Sequence, residues 1–295
     1  MLLKLFSRDQ LRFEESMRKH TTMRVGGPAE IIVSPRTASQ VDTALRLYPD
    51  ALVIGNGSNL IVRDGGIEGL VISLDRMCAA KVEGALLQVE AGMSMAAASL
   101  MAQTHGLSGL EFASGIPGSM GGGCAMNAGA YGEDIAGVLT RAQVLRDGRA
   151  EWIPKEALEM GYRSTKVLRE GWIVLTAEFA LTPHDPVRIK EKMDDLNARR
   201  REKQPLDMPS CGSTFKRPEG YFAGALIQDA GLKGLRVGGA MVSEKHAGFI
   251  VNAGGASASD VLSLIALVQE KVLAAHGVAL ECEVRVVGRD VPGDA

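Results

Sequence analysis

At 295 residues, with 46% hydrophobic and 23% charged side chains, the chain has a globular composition with room for two cores, which sets aside disorder and a membrane-embedded class. Its net charge of -2 offers no basic excess for gripping nucleic acid, and Cys78, Cys124, Cys211 and Cys282 form no CxxC pair, so neither a metal site nor a disulfide framework is expected. The N-terminal apolar run is too short for a secretory leader and no stretch approaches the ~20 apolar residues that span a bilayer, so a cytoplasmic location is expected.

In chain order, "AEIIVSP" (29–35) reads as a strand, and Thr37 with Gln40 three residues on has capping-box spacing before a helix. "ALVIG" (51–55) returns as a strand, so strand, helix and strand form a βαβ unit with parallel pairing. "GLVISL" (69–74) and "ALLQVEAG" (85–92) continue the sheet, and a helix runs from Ser94 to His105. "RAQVLRDGRAEWIP" predicts a hairpin turning at Asp147-Gly148. "WIVLTAEFAL" (172–181) is a further strand, and "TPHDP" (182–186) marks a domain boundary, giving domains 1–183 and 184–295.

The second half opens on a charged helix, "VRIKEKMDDLNARRREK", whose "ARRREK" reads as a solvated face before it reads as a phosphate grip. "LRVGGAMVS" and "HAGFIVN" alternate as strands, "ASDVLSLIALVQEKVLAAH" is a helix ended by Gly277, and "ALECEVRVVG" is a last strand. In that strand Leu280, Cys282, Val284 and Val286 share one face, while Glu281, Glu283 and Arg285 share the other at about 7 Å spacing. Spacing alone favours a salt-bridged solvent surface.

Three glycine-rich segments punctuate the first half. "GNGSN" (Gly55, Asn56, Gly57, Ser58, Asn59) follows one strand and precedes the strand "LIV", and such a turn points successive N–H groups into an anion nest. "TTMRVGGPAE" (21–30) carries a second glycine pair, and "SGIPGSMGGGCAMNAGAYG" (114–132) packs seven glycines beside Ser119 and Asn127. Neither GxGxxG nor GxxxxGK[ST] is present. Three loops of this kind suit a long ligand with a phosphate-bearing middle, and without the nicotinamide fingerprint a flavin dinucleotide is the economical choice.

"TTMRVGGPAE", "GNGSNLIV", "GIPGSMGGGCAMNAGAYG", "GYRST", "QPLDMPSCGSTFKRP" and "LECEVRVVG", in that order across residues 20–288, resemble the UDP-N-acetylenolpyruvoylglucosamine reductase (MurB) family. The resemblance implies an α+β fold: an FAD-binding domain of the vanillyl-alcohol-oxidase type, in two subdomains split near 75–80, and a smaller α+β substrate-binding domain. It implies noncovalent FAD, NADPH as reductant, and conversion of the enolpyruvyl ether of UDP-N-acetylglucosamine to the lactyl ether of UDP-N-acetylmuramate in peptidoglycan synthesis. The short link from Arg163 to Lys203 resembles the branch that lacks a tyrosine-bearing insertion. A monomer or weak oligomer is expected.

By the same resemblance Ser213 is the proton donor, while Arg163 and a protonated Glu283 stabilise negative charge at the substrate carboxylate. Gly55 to Asn59, Gly118, Ser119, Gly121, Gly122, Asn127 and Gly129 would hold FAD, with bare backbone lying against its pyrophosphate and ring. Tyr162, Lys203, Gln204, Lys216 and Arg217 would meet the substrate, Arg217 standing where a common family form has asparagine, and Lys216 is the candidate for lowering the Ser213 pKa. Taken residue by residue, Ser213 also reads as a turn serine, Arg163 as a helix cap, and Glu281 as the alternative carboxylate. Two other readings compete: an alcohol oxidase tethering flavin through Cys124, and a nucleotide-sugar sensor without catalysis.

Overall fold

The computed structural model describes residues 2–291, in an α+β arrangement of two compact units. Each unit is assembled from three segments: Met1–Arg12, Ile32–Asn56 and Gly69–Arg200 in the first, Phe13–Ile31, Gly57–Glu68 and Arg201–Ala295 in the second. The unit boundary therefore falls inside "GNGSN", between Asn56 and Gly57.

In the first unit, helix α1 (Ala38–Leu47) starts as expected at Thr37, whose hydroxyl accepts from the N–H of Gln40 at 3.2 Å. The Gln40 side chain does not close a reciprocal box; its Oε1 accepts from the Arg36 N–H at 2.8 Å. The strand after α1, Leu52–Ile54, pairs in parallel with Ile67–Ser73, which separates it from Pro28–Val33. Both strands of the expected βαβ unit lie in one sheet, but they are not immediate partners: a later strand intercalates, which local periodicity cannot reveal.

A five-stranded antiparallel sheet lies wholly within this unit, ordered Arg149–Pro154, Leu139–Arg146, Ile173–Ala180, Leu86–Glu90 and Ala80–Glu83. Its hairpin turns at Asp147 (φ 49°) and Gly148 (φ 71°), the two left-handed positions that match strand twist. Helices α2 (Met95–Thr104) and α3 (Met120–Ala125) pack on the sheet through Met95, Ala98, Met120 and Cys124, against Leu87, Val89 and Phe179. A short helix α4 (Lys166–Arg169) follows, and α5 (Pro186–Lys203) then runs past the boundary expected at 183 while staying with the first unit as far as Arg200. Leu196 joins the core there, and Arg200 is buried, donating to the Gly115 carbonyl at 2.6 Å. One arginine of "ARRREK" is thus a structural anchor.

The second unit carries a four-stranded sheet ordered Ser210–Ser213, Phe249–Asn252, Ala240–Val242 and Arg236–Val237, covered by α6 (Ala223–Asp229) and α7 (Ala258–His276). The capping box of α7 is complete: Ser257 and Asp260 satisfy each other's N–H groups. The stretch expected as one last strand changes partners along its length. Cys282 pairs antiparallel with Phe215, and only Arg285–Val287 forms a strand, parallel to Leu60–Val62. Leu280 and Val284 are buried as expected, whereas Val286 is exposed. No helix among the described residues is long and apolar enough to cross a membrane.

Candidate active site

A glycine records that something lies close, and the structure shows what. A Cβ on Gly55 would meet the Ser119 Oγ at 2.0 Å, one on Gly121 the Ala91 Cβ at 2.6 Å, and one on Gly129 the Glu133 carbonyl at 2.6 Å, all within the first unit. In the second, a Cβ on Gly57 would meet the His20 carbonyl oxygen at 2.0 Å. These four positions are bare for the protein's own packing. Gly122 is different: it is exposed, and its Cβ would touch only the Ser119 Oγ, at 3.4 Å.

Whether an anionic cofactor suits these loops is decided by their N–H groups. Among the described residues, no acceptor meets the N–H groups of Gly55, Asn56, Gly57 and Ser58, nor those of Gly118 and Ser119. Unmet donors need water or a ligand, and Gly57, left-handed at φ 60°, has the backbone an anion nest uses. The donors at the start of α3 are by contrast taken: Met120 and Gly121 donate to the carbonyls of Met93 and Ala91 at 2.8 and 2.9 Å, and Gly122 donates to its capping Ser119 Oγ at 3.4 Å. The residues fit a pyrophosphate, with fewer donors than the glycine count suggests.

Asn127 is buried and its amide is committed within the protein. Nδ2 donates to the Asp134 carboxylate and the Gly161 carbonyl, both at 3.1 Å, and Oδ1 accepts from the Ala136 N–H at 2.9 Å. Gly161 and Ser164 close a tight turn with Tyr162 and Arg163 at its tip. The Arg163 guanidinium donates to the carbonyls of Asn127 and Gly129, each at 3.3 Å, and lies 5.3 Å from the exposed Tyr162 ring. Asn127 (φ 43°), Tyr131 (φ 59°), Glu159 (φ 47°) and Arg163 (φ 52°) are all left-handed non-glycine residues. Such strain persists where surrounding structure imposes it. Nothing in the sequence marks Asp134 or Gly161 as supports of Arg163, because the turn that joins them is tertiary.

In the second unit the two most distinctive motifs lie side by side. Lys216 N–H donates to the Glu281 carbonyl at 2.8 Å, and Glu283 N–H donates to the Thr214 carbonyl at 2.9 Å. Ser213, exposed at a strand end, thus adjoins the residue bonded to Glu283, which is half-buried. Glu281 is solvated and pairs with Lys216, so that ammonium brings Ser213 no net positive charge from the pair. Arg217 stacks 3.9 Å above the Phe222 ring. Gln204 lines a cavity of about 360 Å³ with Arg201, Ser243 and Lys245; Lys203 is exposed outside that lining.

Cys124 faces the core of the first unit, and burial pushes its thiol up to about 12. A thiol so protonated and enclosed cannot tether a flavin, which removes the basis of the alcohol-oxidase reading. No group of His, Cys, Asp and Glu among the described residues is arranged to hold a metal.

Comparison with known proteins extends over almost the whole chain. Residues 204–287 match the family described as UDP-N-acetylenolpyruvoylglucosamine reductase, C-terminal domain, and residues 29–149 match an FAD binding domain. The chain is 48% identical over 289 residues to the UDP-N-acetylenolpyruvoylglucosamine reductase of Exiguobacterium sibiricum, covering 96% of this chain and 95% of that one. It is 49% identical over 297 residues to the enzyme of the same name from Limosilactobacillus fermentum, covering 98% of each. The crystal structure of the Thermus caldophilus reductase matches with a TM-score of 0.83 at 37% identity, over 94% of this chain and 99% of that one.

Proposed function

The chain belongs to the UDP-N-acetylenolpyruvoylglucosamine reductase family, and from that premise we infer that Arg163, Ser213 and Glu283 carry its catalytic chemistry. The enzyme is a flavin-dependent oxidoreductase that uses NADPH to reduce UDP-N-acetylglucosamine enolpyruvate to UDP-N-acetylmuramate in peptidoglycan precursor synthesis. Bound FAD supplies the hydride relay between NADPH and the terminal vinyl carbon of the substrate. The open donors of Gly55, Asn56, Gly118 and Ser119 in the first unit would hold its pyrophosphate, and Gly122 would give it room; Gly57 and Ser58 of the second unit are assigned to FAD by family resemblance.

As the vinyl carbon gains hydride, charge builds on its neighbour and spreads into the carboxylate. Arg163 holds that carboxylate bidentately, as a guanidinium can and an ammonium cannot. Glu283 donates a hydrogen bond from its protonated form, since an ionised carboxylate there would repel the charge it must stabilise. Half-burial of Glu283, against the exposed and Lys216-paired Glu281, supports choosing the second of the two carboxylates. Ser213 delivers the proton to the charged carbon, completing addition of hydride and proton across the double bond. The observation that carries these roles is the bond from Glu283 N–H to the Thr214 carbonyl, which seats Glu283 next to the neighbour of Ser213.

Tyr162, Lys203, Gln204, Lys216 and Arg217 are assigned to the substrate's diphosphate. A cytoplasmic location suits an enzyme fed by NADPH and a sugar nucleotide, and the proposed state is a monomer or weak oligomer. An absorption spectrum of the purified protein tests the function: flavin bands bleached by NADPH should return when the enolpyruvyl nucleotide is added. Bleaching that only oxygen reverses would overturn it.

A further inference from the structure

Arg163 sits at the tip of a four-residue turn, and a single residue grips both the turn and the guanidinium. The Asn127 amide holds the Gly161 carbonyl at the base of the turn at 3.1 Å, and the Asn127 backbone carbonyl accepts from the Arg163 guanidinium at 3.3 Å. The amide is itself fixed from two further sides, by Asp134 at 3.1 Å and the Ala136 N–H at 2.9 Å, in a residue only 3% exposed. The turn backbone sets where the side chain begins, and Asn127 anchors that backbone.

We propose that Asn127 is the positioning residue for Arg163, setting where the guanidinium meets the carboxylate of the substrate. The assignment rests on the role given to Arg163 above. It also accounts for the residue type. Asn, Asp and Gly tolerate the observed φ of 43° best. Asp would set a second carboxylate against Asp134 and offer no donor to Gly161; Gly would keep the backbone and delete the clasp.

Asn127→Gly is therefore the informative variant, compared with Arg163→Ala and the double variant in FAD-loaded protein. Calorimetry would measure affinity for UDP-N-acetylmuramate, which carries the carboxylate, and for UDP-N-acetylglucosamine, which lacks it. Asn127→Gly deletes all three bonds of the amide; with the clasp on Gly161 alone acting on Arg163, the acid-bearing nucleotide should weaken about tenfold, or roughly 1.4 kcal/mol, and the other should be unchanged. The loss should vanish in the Arg163→Ala background, since groups acting as a unit are not additive. Reduction by NADPH should keep its parental rate while turnover of the enolpyruvyl substrate falls.

Equal weakening of both nucleotides, or full additivity with Arg163→Ala, overturns the proposal. If Arg163→Ala is selective and Asn127→Gly is not, this proposal alone falls; if Arg163→Ala discriminates against neither ligand, the role of Arg163 falls with it. Should Asn127→Gly fail to fold, Asp134→Ala withdraws one anchor of the amide and reads the same ratio. A selective loss there supports the proposal and an unchanged ratio overturns it.

Discussion

The side-chain amide of Asn59 donates to the backbone carbonyl of Glu283 at 3.1 Å, and the Asn59 carbonyl accepts from the Arg285 N–H at 3.0 Å. The last residue of "GNGSN" therefore clasps the chain on both sides of Val284. Asn59→Ala removes the bond to the Glu283 carbonyl, worth roughly 1 kcal/mol, or about fivefold. Stopped-flow traces should show substrate-driven reoxidation slowed by that order, with flavin content and reduction by NADPH retained. Equal slowing of both half-reactions would place the effect of Asn59 on the cofactor instead.

Ser213→Ala separates proton delivery from hydride delivery. Loss of a general acid costs ~10²–10⁴ in rate, so reoxidation by the enolpyruvyl substrate should collapse by that factor. Reduction of FAD by NADPH needs no such proton and should stay at the parental rate. A variant that loses both steps alike would return Ser213 to the status of a turn residue.

Gly121 and Gly122, adjacent in α3, should part company when each is changed to alanine. Helix propensity favours both changes by about 1 kcal/mol. At Gly121 the new Cβ meets the Ala91 Cβ at 2.6 Å, and overpacking of this kind costs roughly 1–3 kcal/mol, so the flavin-free protein should melt lower. At Gly122 nothing is nearer than 3.4 Å. That variant should keep or raise the melting temperature without FAD and lose affinity for it. A flavin titration of both stripped proteins checks the pair, and unchanged affinity in Gly122→Ala would remove Gly122 from the cofactor site.

Glu178 supplies a pH dependence with a definite sign. Arg141, donating from Nε and Nη2 at 2.8 and 2.7 Å, together with Gln88 and Thr140, holds this buried carboxyl down at about 2, against an ordinary 4.5. A folded-state value below the unfolded one stabilises above pH ~4.5 and fades as pH falls toward ~2, a shift worth up to about 3 kcal/mol. Glu178→Gln should thus melt below the parent at pH 7, with the gap closing through that acid window. A gap independent of pH would mean that packing, not charge, is what the substitution removes.

Local signals were the legible ones. Helix Ala258–His276 announces both ends through Ser257 and Gly277, and the hairpin at Asp147-Gly148 rests on two residues that tolerate left-handed backbone. The alternation of Leu280 to Val286 suggested one strand, yet the segment passes from Phe215 to Leu60–Val62, a change of partner no periodicity encodes. Family resemblance assigns Asn127 and Gly55 to the cofactor. The Asn127 amide is spent on Asp134, Ala136 and Gly161, and the space beside the Gly55 Cα belongs to Ser119, leaving Gly55 its open N–H as the group for a ligand. Composition shows that the backbone is approached closely; only the tertiary arrangement shows by what.

The threading of the second unit bears on how the chain can fold as it is made. Met23, Val25 and Ile61 share one core with Ile250, Val261, Leu264 and Leu280, and Leu60–Val62 finds its parallel neighbour only in Arg285–Val287. The ribosome therefore releases two early apolar segments well before the residues that bury them, whereas Gly69–Arg200 of the first unit emerges in one uninterrupted run. A nascent chain halted near residue 200 would leave those early segments exposed to chaperones, and a fragment beginning at residue 201 would lack part of its own interior.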